Sequence, residues 1–250
     1  MTILITAFDP FGGEAINPAW EAVNQLDHEI AGAKIIKLQI PTAFMRASQV
    51  VAEAMAKVQP DYVLSIGQAG GRSAMTVEFV GINWQDGRIP DNDGFQPTGK
   101  PLEEAGDAAY FATLPTAAMV TQMRAAGVPT FMSYSAGTYV CNAVLYRLLY
   151  HIQKNNLNCK AGFIHVPYSP DQAVNKPQGT PTMDLATIQT GIQAAVYGIL
   201  NPVLDKSPDS MGQTEWPDRR IWLVNQKKSK LKPRYKSSWK SREQLGKKLR

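Results

Sequence analysis

Two cysteines and three histidines are the only thiols and imidazoles in 250 residues, so Cys–His chemistry has few pairings to choose from. Cys141 lies in Ser135-Ala-Gly-Thr-Tyr-Val-Cys-Asn, after a β-rich run and at the start of the helical run Val140–Ile152. In the first turn of a helix, free backbone N–H groups and the positive dipole end favour thiolate. Thiolate is the form that attacks a carbonyl carbon. The same position also suits a small buried apolar residue, the commoner fate of an intracellular cysteine. Position alone leaves both readings open. Cys159, in Asn156-Leu-Asn-Cys-Lys, has no comparable setting and reads as a packing residue.

A thiol nucleophile needs a base. His28 sits in the polar turn Asp27-His-Glu and reads as solvated. His151 follows Cys141 by ten residues on one helix, about 15 Å along its axis, and suits the helix carboxyl end instead. His165, in Gly162-Phe-Ile-His-Val-Pro, ends an apolar strand, where parallel-sheet proteins gather functional groups. Elimination favours it, with a satisfied core histidine as the alternative. Glu78 interrupts the apolar run Val77-Glu-Phe-Val-Gly-Ile. It is either on the solvent face of an edge strand or buried and paired, since a lone buried carboxylate is costly. Paired with His165, it would fix the tautomer and stabilise imidazolium.

These side chains need a scaffold. Short β-rich runs at 2–8, 34–40, 62–66, 77–82, 129–133 and 163–166 alternate with helical patterns at 19–26, 43–58, 117–126, 140–152 and 187–199. Alternation of this kind predicts an α/β fold, a three-layer α/β/α sandwich with a mainly parallel twisted sheet. Residues 85–103 hold Gly87, Pro90, Gly94, Pro97, Gly99 and Pro101 and read as a long irregular loop, a common place for function. The body is expected to be one domain, 1–204, followed by a basic extension, 205–250, too poor in apolar residues to fold alone.

Composition narrows the function classes. With 44% hydrophobic and 19% charged residues the chain reads as an ordinary globular protein. Two cysteines cannot build a disulfide scaffold or a multi-cysteine zinc site, and no metal or cofactor is expected. Neither a secretory leader nor an apolar run near the roughly 18 residues of a membrane span is visible, so a cytoplasmic location is expected. The net charge of +5 divides unevenly: residues 1–204 hold 12 Lys/Arg against 16 Asp/Glu, and the extension 14 against 5. The body therefore has no electrostatic reason to bind nucleic acid. The extension, with Tyr235 and Trp239, could bind a polyanion or be a solvated appendage.

Five separated motifs carry a closer likeness. They are Phe8-Asp-Pro-Phe11-Gly-Gly with Asn17-Pro-Ala-Trp, Ser65-Ile-Gly-Gln68-Ala-Gly-Gly-Arg72, Glu78 with Arg88-Ile-Pro-Asp91-Asn, Ala136-Gly-Thr-Tyr-Val-Cys141-Asn, and Phe163-Ile-His165-Val-Pro. Over residues 1–204 the chain closely resembles the pyroglutamyl peptidase I (pyrrolidone-carboxylate peptidase) family of cysteine peptidases. The resemblance implies removal of an amino-terminal pyroglutamyl residue from small peptides by Cys141 as nucleophile, His165 as base and Glu78 as orienting acid. It also implies a neutral lactam pocket at Phe8, Phe11, Asn17, Thr42, Gln68, Ile89, Tyr139 and Val140. Arg88 and the Cys141 N–H are its oxyanion candidates, Arg88 having a salt bridge to Asp91 or Asp93 as its alternative. A homo-oligomer, dimer or tetramer, and no cofactor are expected on the same ground.

Two positions depart from the family pattern. Ala7 stands where glycine is usual, which would put a methyl beside the pocket, and Phe79 stands where a basic residue is common. A glutamine amidotransferase is a poor fit, because its nucleophile sits in a Gly-x-Cys-x-Gly elbow with Glu and His after it, whereas Glu78 precedes Cys141 by 63 residues. A catalytically altered family member acting as a binding module, with a polyanion-binding tail, is the remaining alternative.

Overall fold

The structure, a computed structural model, describes residues 1–202. Its elements are β1 (Thr2–Phe8), α1 (Pro18–Asn24), β2 (Glu29–Ile30), β3 (Ala33–Ile40), α2 (Arg46–Val58), β4 (Tyr62–Gln68), β5 (Met75–Glu78), β6 (Val80–Ile82), β7 (Ala109–Phe111), α3 (Thr116–Ala125), β8 (Thr130–Ser133), α4 (Val140–Lys154), β9 (Lys160–Val166), α5 (Pro170–Ala173) and α6 (Leu185–Leu200). The boundary expected near Asp205 and every expectation about 205–250 lie outside the described residues.

Seven strands form one sheet in the order β2-β3-β1-β4-β9-β5-β8. Neighbours run parallel except β2 against β3 and β5 against β9. Both faces are covered. Ile3, Ile5 and Ala7 of β1 pack with α1, α3 and α6, while Leu4 and Phe8 pack with α2 and α4. A strand buried on both faces explains why Thr2–Phe8 reads as a continuous apolar run and shows no alternation. The expected three-layer α/β fold is present.

Side-chain alternation then assigns the chemistry to a face. Met75 and Val77 of β5 and Ile164 and Val166 of β9 face the α1/α3/α6 layer. Thr76, Glu78 and His165 therefore face α4, together with Gly67 of β4. The strand residues that could react share one face of the sheet.

The run 77–82 is not one strand. After Glu78 the chain leaves the main sheet at Phe79, and β6 pairs antiparallel with β7 in a separate two-stranded ribbon. Gly81 allows this ribbon to press against α4, since a Cβ there would lie 2.9 Å from the Tyr146 nitrogen. Residues 85–103 are irregular apart from one bridge, Gln85–Lys100.

Candidate active site

The antiparallel turn of β5 against β9 creates the first contact. Thr76 pairs with His165, and Glu78 with Phe163, so Glu78 and His165 are diagonal neighbours on one face. Their side chains meet: His165 Nδ1 lies 2.8 Å from Glu78 Oε1, with Glu78 fully buried and His165 3% exposed. A carboxylate only accepts, so Nδ1 carries the proton and donates it, leaving Nε2 as the basic nitrogen. Glu78 is thus buried and paired, and the edge-strand alternative is excluded.

Cys141 is the second residue of α4, whose N-cap, Tyr139, is extended and offers no side-chain acceptor. The amides of that turn have no partner within the helix, and the Cys141 N–H is among them. The thiol reaches the sheet because Gly67, which pairs with His165 across β4 and β9, has no side chain. A Cβ on Gly67 would lie 2.9 Å from Cys141 Sγ and 2.7 Å from Phe163 Cζ. Asn142 fixes the helix start from the other side. Its amide accepts from Ile82 N and donates to the carbonyls of Ile82 and Trp84, each at 2.9 Å.

Electrostatics correct one expectation. The helix terminus was expected to favour thiolate, yet burial and the Glu78 charge push the Cys141 thiol up to about 12. The Arg72 charge and the backbone hydrogen bond work in the opposite direction and lose. The surroundings of Cys141 thus favour the neutral thiol over thiolate. For Glu78, burial opposes ionisation, but the hydrogen bond and charge of His165 and the Arg72 charge outweigh it, holding the carboxyl below its ordinary range.

Loops from three parts of the chain build an apolar wall nearby. Phe8 ends β1 with its ring centroid 6.3 Å from that of Phe163. Phe11 lies 6.3 Å from Tyr139, whose ring is packed edge-on by Phe44 at 5.2 Å. Tyr139 donates its hydroxyl to Pro90 O at 2.9 Å, and Ile89 lies over Gly12. Asp91 holds the long loop in place by accepting from the backbone of Phe44, Asp93 and Phe95. Asp9 does the same for the first loop, accepting from Thr42 N at 2.7 Å and Asn92 Nδ2 at 3.0 Å.

The other expected pocket residues are engaged differently. Asn17 caps α1 by accepting from Ala19 N and donates to Asp9 O, so both ends of its amide hold backbone. The Thr42 hydroxyl also donates to Asp9 O. Gln68 accepts from Gln172 Nε2 at 2.9 Å. Val140 is fully buried in the α2/α4 core. Arg88 is exposed, and neither proposed partner takes it: Asp93 pairs with Arg46 and Asp91 with backbone amides. The Ala7 methyl belongs to the α1/α3/α6 face, opposite the site, so it does not stand beside the pocket as expected. Phe79 packs against Phe111 and Tyr134.

Three contributors escaped the sequence reading. Gly67 and Asn142 lie inside quoted motifs without a role, and Arg72, which donates to Glu78 Oε1 at 2.6 Å, was not assigned one either. The signal for Arg72 was available: a buried carboxylate calls for a cation, and Arg72 is the nearest in sequence. No cluster of three or more His, Cys, Asp or Glu suited to a metal occurs among the described residues, nor any helix long and apolar enough to cross a membrane.

Comparisons with known proteins bear on the chain as a whole. A family model described as pyroglutamyl peptidase matches residues 1–201. The pyrrolidone-carboxylate peptidase of Lactobacillus johnsonii is 54% identical over 200 residues, covering 80% of this chain and 93% of that one. The enzyme of the same name from Clostridium perfringens is 50% identical over 200 residues, again 80% and 93%. Among solved structures, pyroglutamyl peptidase I from Bacillus amyloliquefaciens matches with a TM-score of 0.77 at 39% identity, covering 85% of this chain and 99% of that one.

Proposed function

The chain belongs to the pyroglutamyl peptidase family of cysteine exopeptidases, and from that premise we propose that Cys141, His165 and Glu78 release amino-terminal pyroglutamate from peptides. The observation that carries the assignment is the 2.8 Å contact between His165 Nδ1 and Glu78 Oε1 on the sheet face below the start of α4. The chemistry is confined to residues 1–204.

His165 Nε2 takes the thiol proton as Cys141 Sγ adds to the pyroglutamyl carbonyl. The Cys141 N–H, with Arg88 as a second candidate, receives the developing oxyanion. His165 then gives its proton to the departing amine, and the C–N bond breaks, leaving a thioester. Water, deprotonated by the same nitrogen, adds to the thioester, and pyroglutamate leaves as the thiol is restored. Glu78 keeps the imidazole in the required tautomer and offsets its charge while protonated.

The pocket chemistry supports a neutral lactam over a free amino terminus. Phe11, Ile89 and Tyr139 supply apolar surface with the buried Phe8 behind it, and the ring N–H and C=O need only backbone partners. The carboxylates at these walls, Asp9 and Asp91, are already committed to amides. An ammonium would arrive unpaired, at a desolvation cost of several kcal/mol. Values of kcat/KM for pyroglutamyl, glutamyl and prolyl amides test this reading. The pyroglutamyl substrate is expected to be favoured about 10⁴-fold; comparable rates for the glutamyl amide would make the protein a general aminopeptidase. Assembly into a homo-oligomer is part of the same proposal and is read by light scattering.

A further inference from the structure

The geometry points to a fourth member of the network: we propose that Arg72 is a positioning residue that holds the Glu78 carboxylate against His165 and offsets its charge. The proposal rests on the thiol chemistry assigned above.

Arg72 reaches this place through a specific turn. After β4 the chain passes Gly70 and Gly71; a Cβ on Gly70 would overlap the Tyr168 ring, and Gly71 adopts φ +89°, a conformation that favours glycine. The turn brings the guanidinium back over β5. There Nη1 donates to Glu78 Oε1 at 2.6 Å and to Thr76 Oγ1, while Nη2 donates to Ser135 O at 3.3 Å. Thr76 Oγ1 in turn donates to Glu78 Oε1 at 3.2 Å. One carboxylate oxygen thus accepts from His165, Arg72 and Thr76. The planar fork also ties the acid's strand to the segment that delivers Cys141, a task a point charge does poorly.

The charge count gives Arg72 its second effect. Ionised Glu78 alone would leave an uncompensated buried charge beside the imidazole. Arg72 neutralises that carboxylate from a position only 21% exposed, where solvent screens little. The ionisable or charged groups around the site include Glu78 of β5, Arg72 of the β4–β5 turn, Cys141 of α4, His165 of β9 and, at the N-cap of α4, Tyr139, which interacts with Cys141 and Asp91. β4 contributes Gly67 and β8 contributes Ser133, neither of which changes charge. Removing Arg72 takes away the cation in contact with Glu78.

The test follows kcat/KM for a pyroglutamyl amide against pH, together with the rate at which iodoacetamide alkylates Cys141 in a Cys159→Ser background. Arg72→Met should move the acidic limb of both profiles up by about one pH unit. Arg72→Lys, which keeps the charge but loses the fork, should leave the limb near its wild-type place with a lower kcat. The double variant Arg72→Met/Glu78→Gln strands no buried carboxylate and should be as slow as Glu78→Gln, and no slower. Equal losses at every pH, a Lys variant shifted like the Met variant, or a further tenfold loss in the double variant would overturn the proposal. The alkylation profile needs no peptide, so absent pyroglutamyl turnover would sink the functional reading while this limb still decides the role of Arg72.

Discussion

The two ends of α4 carry the same reactive residue types and come out differently. At its start is Cys141, with His165 on the sheet below; beyond its end is Cys159, with His151 lining the same surface groove. Acidity does not separate them: burial and Asp61 push Cys159 up to about 11, and burial and Glu78 push Cys141 up to about 12. The distinction lies in what surrounds each pair. His151 Nδ1 faces Asn155 Nδ2 at 3.2 Å, and the Cys159 thiol contacts Lys160 O at 3.7 Å. No carboxylate orients that imidazole among the described residues, and a helix end presents carbonyls where a developing oxyanion needs donors. At the start of α4 the first-turn amides have no partner within the helix, the His165 imidazole is held by Glu78, and Gly67 makes room for the sulfur. What separates the two thiol–imidazole pairs is their neighbours, and the acidity of the thiol decides little.

The largest way to break this contrast is to remove the orienting acid. Glu78→Gln should lower kcat about 10³–10⁴-fold, with a smaller change in KM, because the imidazole loses its tautomer and its counter-charge. The same variant sharpens the electrostatics. A carboxyl whose folded pKa lies below its unfolded value stabilises the protein above the unfolded pKa, and that contribution fades as pH falls through the folded one. Wild type should therefore lose thermal stability on acidification below the ordinary carboxylate range more steeply than Glu78→Gln does, as read by Tm against pH. A wild-type slope no steeper than the variant's would contradict the depressed Glu78 pKa.

Gly67→Ala tests the slot rather than the charges. The added methyl meets Sγ and the Phe163 ring, so kcat should fall at least tenfold while stability falls by about 1–3 kcal/mol. Retained activity with an unchanged alkylation rate would mean that the thiol does not depend on this gap. At the opposite end the expected effect is smallest. His151→Ala should change kcat/KM less than twofold, and a hundredfold loss would place chemistry where the account puts none.

Much of this was readable in advance, for identifiable reasons. Both faces of β1 and β9 are covered, so their apolar runs announced buried strands, and elimination among three histidines reached His165. Glu78 stood out because a carboxylate within an apolar run demands a partner. What escaped depended on directions that a one-dimensional pattern does not carry. The antiparallel setting of β5 makes Glu78 and His165 diagonal neighbours, and nothing in Met75–Glu78 declares strand direction. The break at Phe79 and the role of Gly81 depend on α4 lying close by. Arg72 acts by folding back through a glycine turn, and the Ala7 methyl turned out to face the other layer. The thiol's acidity was misjudged because burial outweighs the helix terminus, and burial is a tertiary property.

The two cysteines allow the most direct test of the central claim. Purified Cys141→Ser and Cys159→Ser proteins, both checked for native circular dichroism, are compared with wild type on a pyroglutamyl chromogenic amide. The account predicts that Cys141→Ser loses at least about 10⁴-fold in kcat/KM while Cys159→Ser stays within twofold of wild type. An active Cys141→Ser protein, or loss of activity in Cys159→Ser with the fold intact, would contradict it.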